Sequence, residues 1–389
     1  MKVNKKAIEF YSTQSITQED KDLVVETVGS SFLSRGPRIL EFEAALGVHI
    51  KNKHVITVNS ATSALQIAYQ ILDIKPDCLV WTSPITFVAT ANAAKLIGAR
   101  VDFVDIDPAS LNISPKSLEV KLKKAKRLRD LPDLVSVVHF GGNPCDMERI
   151  DQLSKIYNFK VVEDASHALG AVYKNHKIGE NVHSMASVFS FHPVKMITTG
   201  EGGALSVKSK NLIKKASSIR SHGIEERRFS ENDKRPEWYY EQTELGYNFR
   251  MSEIQAALGL SQLTRLEDFV LKRNDLASNY IKLLKGLPLK FQEVLPECKS
   301  SYHLFTVEIT DKSFSRDRLY SYLKKNRIGS QVHYIPVHFH PYYKKEGFSQ
   351  GMFENAENYF QRCLSLPLHQ GINDQDLMFI SAKLKEFFK

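Results

Sequence analysis

Lys195 closes the stretch Ser190-Phe191-His192-Pro193-Val194-Lys195, and the glycine-rich turn Gly200-Glu201-Gly202-Gly203 follows it. Residue type alone singles out nothing, since 53 residues are Lys or Arg. Position does. The apolar run Ala186–Phe191 predicts a strand, and a lysine at a strand end can form an imine with an aldehyde cofactor. Asp164 lies 31 positions earlier (195 − 164) and ends a second apolar run, Lys160-Val161-Val162-Glu163. An amine and a carboxylate at the ends of separate strands can grip the two sides of a pyridine ring, which is the geometry of pyridoxal 5′-phosphate (PLP) chemistry.

Such a cofactor needs further partners, and the sequence offers candidates for each. Asn59-Ser60-Ala61-Thr62-Ser63-Ala64-Leu65 follows a strand-like run and opens a helix-like one. The backbone of Ala61 and its neighbours, with the Thr62 and Ser63 hydroxyls, suits a phosphate, although the same pattern also serves as a plain N-cap. Ser190 is a further phosphate candidate. Asp164 would hold the ring nitrogen protonated, unless it merely caps a helix. Phe87, which opens a helix after a strand, could stack on the ring or join the core. His167 could reach the 3-oxygen or the phosphate. Lys195 would also move a proton once displaced, with His192 near enough in sequence to assist.

Those residues require a frame. Strands are predicted at 54–58, 79–82, 100–104, 134–139, 160–163 and 186–190, with 204–207 returning as another. Helical stripes fill 63–72 and 87–97 between them. This alternation implies a large, mostly parallel but mixed sheet with both faces covered. From Ile254 to Leu266 apolar spacing predicts a long linking helix. Beyond it, strands at 301–309 and 329–334 and a helix at 316–325 imply a smaller α+β C-terminal domain. The division is therefore expected between a large domain, 1–255, and a linker plus small domain, 256–389. The charged stretch 222–241 reads as an exposed loop.

Composition excludes other classes. The chain has 389 residues, of which 42% are hydrophobic and 25% charged. No apolar run approaches the ~18 residues of a membrane span, and the basic N-terminus leads into no signal-like core, so a cytoplasmic protein is expected. The cysteines, Cys78, Cys145, Cys298 and Cys363, show neither metal-like nor disulfide-like spacing. The net charge of +9 concentrates at Lys121–Arg129, where Leu118, Leu122, Ala125 and Leu128 mark an amphipathic helix with a solvated basic face. No nucleic-acid module accompanies it. A dinucleotide fold would need glycines after the first strand, and Asn59-Ser60-Ala61-Thr62 has none.

Read together, Phe32-Leu33-Ser34-Arg35-Gly36-Pro37, Asn59–Leu65, Glu163–Ala168, Ser190–Lys195, Gly246-Tyr247-Asn248-Phe249-Arg250-Met251 and Val332-His333-Tyr334-Ile335-Pro336 resemble the DegT/DnrJ/StrS sugar aminotransferases. The resemblance spans essentially the whole chain. It implies the type I (aspartate-aminotransferase-like) PLP fold. Lys195 is then the imine lysine, Asp164 the ring-nitrogen partner and Phe87 the stacking ring. Ala61, Thr62, Ser63 and Ser190 hold the phosphate, His167 also contacts the cofactor, and Asn248 reaches the cofactor of a second subunit in a homodimer. Within the family, Ser166–Gly170, Arg220-Ser221-His222-Gly223 and Ile254–Leu260 are similar to enzymes that aminate C4 of UDP-4-keto-6-deoxy-β-L-AltNAc from L-glutamate, yielding 2-oxoglutarate. That likeness places the UDP-linked sugar against Tyr11, Ser31, Phe32, Leu33, Ser34, Ser190, Asn248, His333, Tyr334, Ile335 and Pro336. The alternatives are another UDP-4-keto sugar, such as a bacillosamine or legionaminic-acid precursor, or a non-catalytic relative. Met196 departs from the proline expected after the lysine. Lys195 separates the chain from the dehydratase branch, which carries histidine there.

Overall fold

A computed structural model describes residues 7–225, 236 and 238–389, so most of the charged stretch 222–241 lies outside the described residues. Short apolar runs form β1 (Val55–Val58), β2 (Leu79–Thr82), β3 (Arg100–Phe103), β4 (Leu134–Val138) and β5 (Lys160–Asp164). A small hairpin, β6 (Val172–Tyr173) and β7 (His176–Lys177), precedes β8 (Ala186–Ser190) and β9 (Gly203–Val207). Seven of these strands make one sheet in the order β1-β9-β8-β5-β4-β2-β3. β9 runs antiparallel to both β1 and β8, while the neighbours from β8 to β3 are parallel. The type I architecture read from the sequence is therefore present, with the mixed character concentrated in β9.

Alternation within strands supplies two cores, because successive side chains point to opposite faces. Leu79 and Trp81 pack with Phe42, Leu118 and Val137 on one face. Val80 packs with Val58, Ile67 and Ala68 on the other. The covering helices are α1 (Gln18–Val28), α2 (Pro37–His49), α3 (Ala61–Ile71), α4 (Ala89–Leu96), α5 (Pro115–Leu128), α6 (Met147–Tyr157) and α7 (Lys210–Arg220). In α5, Leu118, Leu122 and Ala125 are buried as the spacing predicted, whereas Leu128, at the last turn, is exposed. Met196 is also buried in the core, so apolar packing accommodates it without proline.

A two-residue pair, β10 (Ile224–Glu225) with β11 (Glu241–Gln242), flanks the undescribed stretch. The linking region is two helices rather than one, α8 (Glu253–Leu263) and α9 (Leu266–Leu283). Arg265 leaves helical geometry between them, at φ −107° and ψ 5°, and its guanidinium binds Asp20 of α1 at 2.6 and 2.8 Å. The expected division at 255/256 falls inside α8. The apolar packing changes over within α9, where Leu266, Phe269 and Val270 join the large-domain core and Leu276, Ala277 and Tyr280 join the small one.

The small core is built on β12 (Leu289–Phe291), β13 (Phe305–Ile309) and β14 (Cys363–Leu366), an antiparallel sheet covered by α10 (Arg316–Lys325) and a C-terminal helix, Asp374–Phe387. The strand expected at 329–334 does not form. Gln331 bridges Ser365 alone, and the N-terminal segment occupies the chain beside it: Gly329 N–H donates to Ile8 O at 2.6 Å. The strand expected from Ser301 begins only at Phe305.

A fourth apolar cluster joins the two domains. Ile85, Phe103, Ile106 and Phe140 of the large domain pack with Leu304, Val337, Tyr343, Phe353 and Tyr359 of the small one. Phe103 is fully buried and meets the rings of Tyr343, Phe348 and Phe353 at 5.0–5.9 Å. Phe103→Ala should cost about 3–5 kcal/mol. Chemical denaturation would check this, and a loss below about 1 kcal/mol would contradict the role of the joint.

Candidate active site

The parallel strands point their carboxyl ends at one side, where a ligand site forms in open α/β sheets. A cavity of about 340 Å³ lies there. Of the residues expected from sequence, it gathers Tyr11, Ala61, Thr62, Phe87, Asp164, His167, Ser190, His192, Lys195, His333 and Tyr334. Asp164 ends β5 and is buried. One carboxylate oxygen accepts from Thr90 Oγ1 at 2.6 Å and the other from Ser166 N–H at 3.1 Å. Thr86 Oγ1 lies 2.8 Å from Thr90 Oγ1. Since Thr90 gives its proton to Asp164, Thr86 donates to Thr90.

Lys195 sits in the loop between β8 and β9. Its own N–H donates to His192 O at 2.8 Å, and Thr198 Oγ1 donates to Phe191 O at 3.0 Å, which ties the loop to the strand end. Lys195 keeps part of its surface open to the cavity. Burial nonetheless pulls its pKa from 10.5 down to about 8, against the opposing pull of Asp164. Roughly a tenth of the amine is then neutral at pH 7, against a few parts in ten thousand for a free lysine.

α3 begins beside this pair. Ser60 caps it by accepting from Ser63 N–H at 3.2 Å, and the first-turn N–H groups of Ala61 and Thr62 have no intrahelical acceptor. The approach of α3 to β9 depends on Gly203, where a Cβ would lie 2.6 Å from Ala61 N and 2.8 Å from Phe189 O. Any larger residue there would push the helix start away from the cavity. Ser63 departs from expectation: its hydroxyl donates to Asn59 Oδ1 at 2.6 Å, so it serves the helix cap rather than the cavity.

Other predicted residues stand outside the cavity. Ser31, Phe32, Leu33 and Ser34 are exposed between α1 and α2. Asn248 is exposed and bridges Ser221. Ile335 is exposed and Pro336 buried, and neither lines the cavity. Sequence reading missed Thr86 and Thr90: Thr90 stands in the first turn of α4 and Thr86 in the bend that precedes it, and only the fold brings their hydroxyls to Asp164. It also missed His303, whose ring centroid lies 4.5 Å from that of His167. Nothing local marks His303, because it arrives from the small domain. His167, His303 and His333 are all buried, and desolvation lowers the pKa of each, with Lys195 adding to the effect; His333 falls to about 3.

A lysine of lowered pKa facing a braced carboxylate beside an open helix N-terminus defines the class of the aspartate-aminotransferase-like enzymes. Residues 14–385 match the DegT/DnrJ/EryC1/StrS aminotransferase family, and the chain belongs to it. It is 41% identical over 378 residues to the UDP-4-amino-4,6-dideoxy-N-acetyl-beta-L-altrosamine transaminase of Campylobacter jejuni strain 81-176, covering 96% of each chain. It is 36% identical to the spore coat polysaccharide biosynthesis protein SpsC of Bacillus subtilis, covering 97% of each. Among solved structures, Helicobacter pylori PseC, an aminotransferase involved in the biosynthesis of pseudoaminic acid, superposes with a TM-score of 0.88 at 34% identity, over 98% of this chain and 99% of that one. The PLP form of the putative sugar aminotransferase Spr1654 from Streptococcus pneumoniae gives 0.87 at 26% identity, over 98% of each.

The lowered pKa of Lys195 carries a stability cost. Below pH 8 the lysine is charged in both folded and unfolded states, and its burial costs at most roughly 3 kcal/mol. Between pH 8 and 10.5 the unfolded chain holds more protons, so folding strengthens as pH rises. Lys195→Met should therefore stabilise the cofactor-free protein at pH 7, with the advantage fading by about pH 10.5. Urea titrations at both pH values would test this, and a destabilised or pH-indifferent variant would refute it.

Proposed function

We propose that this protein is a PLP-dependent aminotransferase that moves an amino group from L-glutamate to C4 of UDP-4-keto-6-deoxy-β-L-AltNAc, giving UDP-4-amino-4,6-dideoxy-β-L-AltNAc for pseudaminic acid biosynthesis. The observation that carries the chemistry is Lys195 and Asp164 lining one cavity with the start of α3. The relatives' names carry the substrate.

The residues present fit PLP. The carboxylate of Asp164 suits the ring nitrogen and is held from both sides by Thr90 and Ser166. The free N–H groups at Ala61 and Thr62, with Ser190, suit a phosphate, and Gly203 leaves the room. Phe87 is 60% exposed, an unusual state for phenylalanine that a stacked ring would relieve. When bound, the cofactor supplies an electron sink that carries nitrogen from donor to acceptor.

The chain's residues do the rest. Lys195 Nζ takes the proton from Cα of glutamate, and in the second half-reaction delivers one to C4 of the sugar. Its lowered pKa keeps both protonation states within reach near neutral pH. Tyr11 and His333, whose rings meet edge to face at 4.8 Å, wall the sugar side with Tyr334. His192 is exposed at the cavity mouth. Ser31–Ser34, Ile335 and Asn248 serve at a site completed by a second copy, Asn248 reaching the phosphate there. The exposed apolar side chains Val25, Val28, Phe32, Leu33 and Leu40 offer the surface for that copy.

Purified protein with PLP, glutamate and the UDP-4-keto sugar should yield the 4-amino sugar, and Lys195→Ala should lower the rate by at least about 10³-fold. A product aminated elsewhere, or turnover retained without the lysine, would overturn the reading. If the site is shared, mixing Lys195→Ala with Asn248→Ala chains should restore roughly a quarter of wild-type activity, since half the dimers carry one intact site. No gain on mixing would exclude sharing.

A further inference from the structure

We propose that Tyr334 donates a hydrogen bond to the 3-oxygen of the cofactor ring, and that the Gly141 amide, acting through His167, fixes the direction of that donation. The proposal rests on reading the cavity as a PLP site.

The argument is proton bookkeeping. Gly141 N–H donates to His167 Nδ1 at 3.3 Å, so that nitrogen presents a lone pair. His167 is buried, and desolvation with the nearby Lys195 charge holds its pKa well below 6.5, so the ring is neutral and carries one proton. That proton sits on Nε2, which lies 3.1 Å from Tyr334 Oη. The imidazole therefore donates and the phenol oxygen accepts. Burial raises the Tyr334 pKa, so the phenol keeps its own proton and must aim it elsewhere. Phe87 and Phe140 flank the tyrosine with centroids at 6.2 and 6.3 Å and offer no oxygen or nitrogen acceptor on their side chains. The His333 ring meets the tyrosine edge to face at 4.8 Å with its Nδ1 held by Ser365 Oγ at 2.8 Å, and the remaining direction is the cavity that both residues line.

Sheet order indicates which oxygen receives it. α3 follows β1, Lys195 follows β8, Asp164 and His167 follow β5, and Gly141 follows β4. In the order β1-β9-β8-β5-β4, the phosphate cradle and the His167–Tyr334 pair stand on opposite flanks of the Lys195–Asp164 axis. On the ring, the phosphate arm and the 3-oxygen likewise flank the axis from aldehyde carbon to nitrogen. The turn that aims the Gly141 amide is itself clamped: Leu304 N–H donates to Gly141 O at 3.2 Å, Ser301 N–H to Gly142 O at 3.1 Å, and Ser301 Oγ to His167 O at 2.8 Å. Gly142, at φ 90°, leaves no space for a Cβ, which would lie 2.8 Å from His167 O. His167 is thus a positioning residue, and Tyr334 is the group that touches the ring.

Two measurements on the full-length protein test this. In the cofactor-free protein, ¹⁵N spectra of labelled histidine should assign His167 as the Nε2–H tautomer, and an Nδ1–H tautomer or a doubly protonated ring would overturn the relay. In the PLP-loaded protein, the visible absorbance titrates with the nitrogen joining Lys195 to the ring. A donor at the 3-oxygen lowers the proton affinity of that nitrogen, so Tyr334→Phe should raise the midpoint by about one pH unit, a tenfold change. His167→Leu should shift it the same way, and His167→Gln, which keeps one acceptor and one donor, should restore it. An unmoved midpoint in Tyr334→Phe would overturn the donor role. If the wild-type protein takes up no PLP, the cofactor reading fails and the donor role with it, while the tautomer result still stands on the cofactor-free protein.

Discussion

The site depends on one constraint: an amine must be held where water is scarce enough to lower its proton affinity, yet within the field of a single carboxylate. Burial of Lys195 and the proximity of Asp164 act in opposite directions on the lysine, and burial prevails. The parallel pairing of β5 with β8 makes the juxtaposition possible, since its register sets Asp164 opposite Val188 and brings both strand ends to one edge. The carboxylate is in turn braced by Thr90, which Thr86 supports from the bend that leads into α4. Loss of either hydroxyl would leave a buried polar group short of a partner, which costs more than the hydrogen bond itself is worth.

A second layer of support comes from the small domain. The aromatic cluster around Phe103 and Phe140 makes the two domains share one apolar joint, and residues 301–304 clamp the turn beneath His167. Fully buried Arg273 adds a polar link. Its guanidinium donates to Leu368 O at 2.7 Å and to Tyr302 O and His303 O at 3.2 Å, and it reaches Ser12 Oγ, which donates to Val194 O beside the lysine. Desolvation lowers the Arg273 pKa to about 10, but three carbonyl oxygens compensate for the lost water. The lysine loop is thus steadied from α9 and from the N-terminal segment as well as from its own strand.

Electrostatics at the cavity divide into a charged axis and a neutral wall. Lys195 and Asp164 supply the charge. His167 and His333 on the cavity wall, and His303 packed beside His167, are kept neutral by burial and by the lysine, so they act through fixed lone pairs and N–H groups rather than through charge. A neutral, hydrogen-bonded wall suits a sugar, whose hydroxyls and carbonyl are recognised by direction rather than by attraction.

Much of this was legible in the amino-acid order. Short apolar runs located the strands, the lysine and aspartate at strand ends announced the chemistry, and Asn59–Leu65 announced a capped helix start, because each signal is local. The antiparallel pairing of β9, the break at Arg265, the loss of a strand at 329–334 and the division of labour between Thr62 and Ser63 were not legible. They depend on which segments meet: Gly203 against Ala61, Arg265 against Asp20, Ile8 against Gly329, Ser63 against Asn59. Sequence by itself determined the type of chemistry, since that follows from residue identity at element ends. Tertiary structure alone decided the protonation of the lysine and the tautomer of His167, because proton affinity is set by the water, charges and hydrogen bonds that packing puts around a group.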